Sequence, residues 1–315
     1  VMCRDIELAV GAAAVAVDHA GLVTKATDPE SPPTIDPDRF GCQIGAGLIS
    51  ADVDEMTQAF RSTRHEDGSF DLGHWGREGM QNLTPLWLLK YLPNMLACHV
   101  TIVHDCRGPS NTITCCEASG LLCVAEAMRV IQRDHADACL AGGAEFKLNV
   151  LSFIRQEFAE RLLATADLDD PVAGLRPFDA AAAGTLLGEG GGLLVLESLE
   201  SARDRGARMH AELRSTAVTQ SRCADPTGLA IRPDDDGIAI CMRLAIERAG
   251  LTDDDIDAVV PGATGVPNHD AAEARAIREV FGDRAPDVPL VITTPFIGNC
   301  NAGHSALTLT VAARC

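Results

Sequence analysis

The residues best placed for chemistry lie where a glycine-proline pair leads into a helix. Gly108 and Pro109 precede a short run that ends in Cys115, Cys116 and Glu117, and a helical pattern follows directly. A thiolate at a helix N-terminus is stabilised by the helix dipole and can carry an acyl group as a thioester. A carboxylate there is stabilised equally well, but it is a far weaker nucleophile and could form only a reactive mixed anhydride.

Two later segments carry polar residues between apolar runs. Thr264 can donate a hydrogen bond but does not titrate near neutral pH, and Asn299 offers donors for a carbonyl oxygen. His269 is interpreted as a solvated loop residue, and His304 as a packing or surface histidine on the following helix. These residues predict no metal site and no cofactor.

The elements that must position these residues alternate between apolar strands and amphipathic helices. Segment 84–92 has proline in its first turn and is expected to be a buried helix. The alternation predicts an α/β protein with mostly buried sheets. Helices are predicted at 6–20, 84–92, 118–134, 237–249, 271–281 and 302–313, and strands at 40–47, 100–103, 111–116, 138–145, 192–199, 256–260 and 290–293.

The composition predicts a folded, acidic protein. Of the 315 residues, 46% are hydrophobic and 23% are charged, and the formal net charge is -19. A field of this sign repels nucleic acids and anionic membranes, and no apolar run reaches the roughly 18 to 20 residues that span a bilayer. We therefore expect no nucleic-acid or membrane partner and a cytoplasmic location. The 12 cysteines are scattered and are expected to be reduced.

The segment around the two cysteines and Glu117 resembles the nucleophile segment of β-ketoacyl-ACP synthases. In that family a Gly-Pro pair leads through a strand to the catalytic cysteine, which a small residue, Ser or Thr, and Gly follow. Further segments match the family in the same order along the chain. The matching segments are GPSNTITCCEASG at 108–120, AD with AGGAE at 136–145, RPFD at 176–179, GEGGGLLVLE at 188–197, AGL with DID at 249–257 and DAAEARAI at 270–277.

The resemblance implies a five-layer αβαβα fold of the thiolase type, made of two similar halves at 1–205 and 206–315. It also implies a dimer that works on acyl chains carried by acyl carrier protein or coenzyme A. The chain begins at Val1 and ends at Cys315 straight after an apolar helical run. Both ends are therefore expected to be cuts in a longer sequence.

The family's catalytic positions hold other residues in this chain. The motifs place Glu117 at the nucleophilic cysteine, Thr264 at the first histidine and Asn299 at the second. Condensation in the family needs the thiolate and both imidazoles, so none of the catalytic set is intact. Cys116 or Cys115 remains a candidate for a displaced nucleophile, although a shift of one residue turns the side chain toward a different wall, and catalytic geometry tolerates only about 0.5 Å.

Several functions stay open at this point. The leading hypothesis is a non-condensing subunit, like a chain-length factor, that forms a homodimer or a heterodimer with an active ketosynthase and shapes an acyl pocket. Glu117 would then mimic an acylated nucleophile, or it could simply cap its helix. The alternatives are an acyltransferase or 3-oxoacyl-ACP synthase with a displaced nucleophile, and a module that binds acyl-ACP. A basic patch for acyl carrier protein could come from Arg129, Arg133, Arg155 and Arg161.

Overall fold

The computed structural model describes residues 2–223, 231–232 and 234–314. Its strands are β1 Phe40–Gly45, β2 Ser110–Ile113, β3 Ala138–Phe146 and β4 Glu189–Glu197. Its helices are α1 Arg4–His19, α2 Val53–Ser62, α3 Leu72–Arg77, α4 Met95–His104, α5 Ser119–Gln132, α6 Val150–Phe158, α7 Pro171–Gly174, α8 Leu199–Asp204, α9 Gly237–Arg248, α10 Pro267–Phe281, α11 Thr294–Ile297 and α12 His304–Ala312.

The four strands form one mixed sheet in the order β2-β1-β3-β4. Strand β1 lies parallel to both β2 and β3, whereas β4 is antiparallel to β3. The register places Gly45 opposite Gly143, and Ile113 lies on the other side of Gly45. The carboxyl ends of the three parallel strands therefore meet at one edge, where ligand and catalytic sites of open α/β sheets are found.

The central strands β1 and β3 are buried between two helical layers because they are largely apolar on both faces. Alternate residues such as Ile44 and Leu140 join a core with the buried stripe of α1, while Cys139 and Ala141 join a second core with α5. Helix α4 lies against β1 on the first side, and α12 lies against β4 and α5 on the second. This arrangement holds the N-terminus of α5 against the strand ends.

Two glycines at the strand ends allow the helices to approach the sheet closely. A Cβ on Gly45 would lie 2.5 Å from the carbonyl carbon of Ser119, and a Cβ on Gly143 would lie 2.4 Å from the carbonyl oxygen of Ala302. Real Cβ atoms do not approach backbone atoms so closely. Glycine at both places therefore sets how near α5 and the segment before α12 lie to the sheet.

Two predictions in the first half of the chain were wrong. The supposed strand at 100–103 lies inside α4, whose buried residues Leu96, Val100 and His104 recur at helical spacing. The supposed buried helix at 84–92 is reduced to a short 3-10 turn at Trp87–Tyr91. Leu86 has a left-handed φ of 64°, which interrupts the helix directly after Pro85 and leaves the Leu86 side chain exposed.

The second half of the chain has less regular structure than the sequence predicts. Helices α9 and α10 form as expected and share a small core with Val288. The segments predicted as strands at 256–260 and 290–293 pair only through one parallel bridge between Val259 and Leu290. Within the described ranges no further strand lies beside this pair, so the ladder ends at one bridge. None of the helices described in the structure is long and apolar enough to cross a membrane.

Candidate functional site

The candidate site begins at the tight turn between β2 and α5. Cys116 has a left-handed φ of 46°, and a short 3-10 turn at Cys116–Ala118 follows. The buried Ser119 holds this turn together, because its Oγ accepts the Cys115 N–H at 2.8 Å and donates to the Cys116 carbonyl at 2.6 Å. Glu117 is thereby presented at the N-terminal end of α5.

The carboxylate of Glu117 receives two converging donors. Its Oε1 atom accepts hydrogen bonds from Nη2 of Arg161 and, at 3.0 Å, from Nδ2 of Asn299. The side chain of Glu117 is 22% exposed, whereas that of Arg161 is only 5% exposed. The three side chains come from distant parts of the sequence and form one cluster. Their hydrogen bonds to the carboxylate are charge-assisted, which makes them stronger than bonds between neutral groups.

The cluster keeps Glu117 ionised. Burial favours the neutral carboxyl group, but the charge of Arg161 and the hydrogen bonds from Asn299 and Arg161 outweigh it and lower the pKa of Glu117 to about 2. A carboxylate with so low a pKa is a poor proton acceptor at neutral pH. Glu117 therefore carries a negative charge at neutral pH.

Asn299 is oriented by contacts on its other side. Its Oδ1 atom accepts the Asn301 N–H at 2.8 Å, which leaves the Nδ2 donor to face Glu117. The backbone of Asn299 is tied to the segment before β4 by bonds with Leu186 and Gly188 of 2.7 and 3.0 Å. Asn299 and Glu117 were predicted to belong to one site, and their side chains are in contact.

Thr264 does not join this contact. Its buried hydroxyl donates to Oδ1 of Asp270 at 3.4 Å and accepts the Val266 N–H at 3.3 Å. Among the described residues no hydrogen bond joins Thr264 to Glu117 or Asn299. The carbonyl of Gly262 in the same loop contacts the Thr294 hydroxyl and His304.

Two histidines near these segments have different surroundings. His304 is 1% exposed, and its Nε2 atom lies 3.1 Å from the Gly262 carbonyl and 3.5 Å from the Thr294 hydroxyl. Burial lowers the pKa of His304, although the Gly262 carbonyl and the charge of Glu117 act in the opposite direction. His304 is therefore a packing histidine. His269 lies in the first turn of α10 and not in a loop.

The two cysteines before Glu117 are exposed. Partial desolvation of the thiol, followed by the charge of Glu117, raises the pKa of Cys116. A thiol with a raised pKa holds less thiolate at neutral pH and is a weaker candidate for a nucleophile. No histidine in the described part of the chain forms a hydrogen bond to Cys115 or Cys116.

A second buried ion pair braces the site from behind. Lys147 pairs with Oε1 of Glu145, while Oε2 of Glu145 accepts the Asn301 side-chain amide at 2.9 Å and the Ala302 N–H at 2.8 Å. Because Asn301 also donates its N–H to Asn299, this brace fixes the segment that supplies the second donor to Glu117. In the ranges described, no group of three or more His, Cys, Asp or Glu residues could hold a metal ion.

The role of Arg161 was not predicted from the sequence. Arg161 was only one of four arginines that could form a surface patch for acyl carrier protein, and the structure buries it with 4% exposure. That part of the prediction was wrong, because the guanidinium turns inward to neutralise Glu117. A carboxylate at a buried, reactive position requires a cation nearby, and this was the signal in the sequence that could have prompted a search for one.

Two protein-family models match the two parts of the chain. The model of the β-ketoacyl synthase N-terminal domain matches residues 2–202, and the model of its C-terminal domain matches residues 210–314. A mitochondrial 3-oxoacyl-[acyl-carrier-protein] synthase of Arabidopsis thaliana is 32% identical over 82% of this chain and 52% of its own length. The 3-oxoacyl-[acyl-carrier-protein] synthase 2 of Mycobacterium bovis is 33% identical over 88% of this chain and 63% of its own length. The chain thus spans about half to two thirds of these curated relatives.

Solved structures share the fold over nearly the whole chain. The complex of a type II polyketide synthase acyl-carrier protein with its ketosynthase matches with a TM-score of 0.84 and 24% identity, covering 98% of this chain and 71% of that one. The ishigamide ketosynthase/chain length factor matches with a TM-score of 0.77 and 27% identity over 99% of this chain and 69% of that one. A β-ketoacyl synthase from Burkholderia phymatum gives 0.79 and 26%, with the same coverage.

Proposed function

This chain belongs to the β-ketoacyl synthase family and has its thiolase-type fold, and we propose that it serves as a non-condensing subunit in fatty acid or polyketide synthesis. In this role it resembles a chain-length factor and pairs with an active ketosynthase. The single observation that carries the proposal is the bonded cluster of Glu117, Arg161 and Asn299 at the position of the nucleophile.

The cluster leaves no group that could run condensation at this position. Glu117 stands where the family has a thiolate, and Arg161 holds its carboxylate in the ionised form. Nη2 of Arg161 and Nδ2 of Asn299 both donate to Glu117, so the donors that reach this point are directed at its carboxylate. Loss of the cooperating groups of such a catalytic set leaves little rate by the same mechanism.

The contacts that hold the fold together around the cluster are intact. This indicates that the chain has kept a folded role and has not degenerated. The Glu145–Lys147 brace, the bonded turn around Ser119 and the close approach at Gly45 all remain in place. An ionised carboxylate held by two donors also imitates the polar end of an acylated nucleophile. These features suit a subunit that presents an acyl-inert site next to an active one.

An edge strand offers a place for the partner subunit. Strand β2 forms its ladder with β1, and in the described structure its other edge carries no strand. Ser110 and Asn111 on this strand are exposed. Unpaired strand edges accept strands from other chains, so we propose that the homodimer or heterodimer contact includes β2.

The proposal is tested by acylation and co-purification in parallel. The full chain, co-expressed with an active ketosynthase from the same organism, is expected to co-purify with it in equal amounts. Incubated with acyl-ACP and malonyl-ACP, it should gain no acyl mass by intact-protein mass spectrometry and should form no condensed product. A Glu117→Cys variant, which restores a thiol at this position, serves as the positive control for access of the acyl group.

A displaced nucleophile is the second candidate function, because Cys116 is exposed next to the site. If the native chain gains an acyl group that Cys116→Ala abolishes and Cys115→Ala does not, the chain is an acyltransferase and the inert-subunit proposal fails. Tight binding of acyl-ACP without co-purification of a synthase would instead identify a binding module.

A further inference from the structure

The backbone of Arg161 is fixed on both sides by hydrogen bonds that do not involve Glu117. The Arg161 N–H donates to the Gln156 carbonyl at 3.1 Å, and the Arg161 carbonyl accepts the Thr185 N–H at 2.8 Å. The neighbouring residue Leu162 forms a parallel bridge with Thr185. The backbone is thus held in place at Arg161, the residue from which the guanidinium side chain extends.

Arg161 has unused hydrogen-bonding capacity in this buried place. Its Nη2 atom donates to Glu117, whereas its Nε atom is buried and has no acceptor among the described residues. A planar guanidinium can donate several hydrogen bonds to one carboxylate, so the Arg161 side chain is suited to bind a carboxylate. Asn299 adds a second donor that is aimed by its own bond to Asn301.

The neighbouring charges do not replace Glu117 as a partner for Arg161. The nearby carboxylate of Glu145 is committed to Lys147, Asn301 and Ala302. Removal of the Glu117 carboxylate would therefore leave a buried cation without a counter-ion, which is strongly unfavourable. A small anion has a path to this point, because the Glu117 side chain is 22% exposed and Cys116 beside it is also exposed.

We propose that Arg161 and Asn299 form a carboxylate-binding site and that Glu117 fills it as a ligand from within the chain. A free monocarboxylate such as formate or acetate takes the place of the Glu117 carboxylate when that side chain is shortened. This inference deepens the proposed function, and it rests on that function only in equating position 117 with the nucleophile. The binding itself stands on the contacts of Arg161 and Asn299.

The test is chemical rescue of Glu117→Ala, followed by thermal unfolding. Formate or acetate is expected to raise the unfolding midpoint of this variant along a saturable curve, by about 3 °C at a roughly ten-fold excess over its Kd. Acetamide, which has the shape of acetate without its charge, and chloride at equal ionic strength should produce no such curve. The native chain and Glu117→Gln should not respond, because in both the site is filled.

The control that identifies the site is the double variant Glu117→Ala/Arg161→Met, which should lose the response to formate. If Glu117→Ala does not fold alone, the same titration is followed as recovery of folded protein on refolding. A response that is absent, or that persists without Arg161 or appears equally with acetamide, overturns the inference. Such a result leaves the test of acylation and co-purification untouched, so the two proposals can fail separately.

Discussion

Glu117 and Glu145 are both largely buried carboxylates that meet one cation and one asparagine, yet their pKa values shift in opposite directions. Arg161 and Asn299 lower the pKa of Glu117 to about 2 against the effect of burial. For Glu145, burial is the largest influence and raises the pKa, although Lys147, Ala302 and Asn301 act against it. The same kinds of partner thus stabilise the ionised form of Glu117 but do not offset the cost of burying the charge of Glu145.

Burial is the largest influence on the pKa of both groups, but at Glu117 the charge of Arg161 and the bonds from Asn299 and Arg161 outweigh it. The two carboxylates also differ in exposure. Glu145 is 1% exposed and lies against Gly47, where any larger residue would collide with its carboxylate. Glu117 keeps 22% of its side-chain exposure at the mouth of the turn. Desolvation of a charge can exceed the attraction of its partner, and the balance changes with depth. The position at the nucleophile therefore carries the more favourable ion pair of the two.

The largest expected effect comes from removing the cation that pairs with Glu117. Arg161→Met should lower the free energy of unfolding by about 3–5 kcal/mol at neutral pH, because it leaves a largely buried carboxylate unpaired. In the native chain the lowered pKa of about 2 provides stability that is present above pH 4.5, the ordinary pKa of a glutamate, and is lost as the pH falls toward 2. Without Arg161 burial raises this pKa, so protonation on acidification relieves the cost.

Urea unfolding at about pH 7.5 and about pH 4.5 checks this prediction. The deficit of Arg161→Met relative to the native chain should shrink at the lower pH. Arg129→Met is the matched control, since the Arg129 side chain is 43% exposed and pairs at the surface with Glu126; it should change stability by less than about 0.5 kcal/mol. An equal deficit at both pH values would show that Arg161 acts through packing alone.

The second largest effect is expected at the deeper pair. Lys147→Met should cost about 2–3 kcal/mol at neutral pH, because Glu145 then lacks its cation. The double variant Glu145→Gln/Lys147→Met should recover most of this loss, since replacement of both charges removes the desolvation penalty as well. Denaturant unfolding of the two variants provides the measurement. A double variant as unstable as the single one would mean that Glu145 and Lys147 are net favourable and do not differ from Glu117 and Arg161.

The sequence predicted the sheet well where burial alone decides the structure. The strands at 40–47, 138–145 and 192–199 and the helix after Glu117 are confirmed within a few residues, because each is a local apolar run. The run at 100–103 is too short to distinguish strand from helix, and in the structure it is the end of a helix that begins at Met95.

The site was predictable only in part. Glu117 and Asn299 could be found from motif order, because each lies at a fixed place in a matching segment. Arg161 could not, since its partner is 44 residues away and the contact is made only by tertiary packing. A charge on a helical segment is more often solvated than buried, and this general tendency gave the wrong position for Arg161.

A smaller effect is expected from the second donor to Glu117. Asn299→Ala removes the bond to Glu117 of 3.0 Å and leaves the Asn301 N–H without its acceptor, which should cost about 1–2 kcal/mol. Asn299→Asp keeps the acceptor for Asn301 but places a second carboxylate against Glu117. Urea unfolding at neutral pH should therefore rank Asn299→Asp below Asn299→Ala. The reverse order would show that Arg161 alone holds the Glu117 charge.

The smallest expected effect is a gain in stability when a third buried carboxylate, that of Asp5, is replaced. Asp5 has no salt bridge among the described residues, so it extends the comparison to a buried carboxylate without a cation partner. Asp5 is 3% exposed, and its Oδ1 atom accepts the Phe146 N–H at 2.9 Å. Burial, with the charge of Glu145, raises its pKa from 3.8 to about 6, although the Phe146 N–H and the charge of Lys147 act against the shift. A raised carboxyl pKa is most favourable to folding below pH 3.8 and becomes unfavourable as the pH rises through about 6.

Asp5→Asn should therefore stabilise the chain by about 1 kcal/mol at pH 8 and by much less near pH 4.5, where the native carboxyl group is largely protonated. The asparagine oxygen still accepts the Phe146 N–H, so the gain comes from removal of the buried charge. Urea midpoints at the two pH values give the comparison, with Asp18→Asn on the exposed face of α1 as a control that should not move. A loss of stability at pH 8 would show that the Asp5 charge is favourable to folding despite its burial.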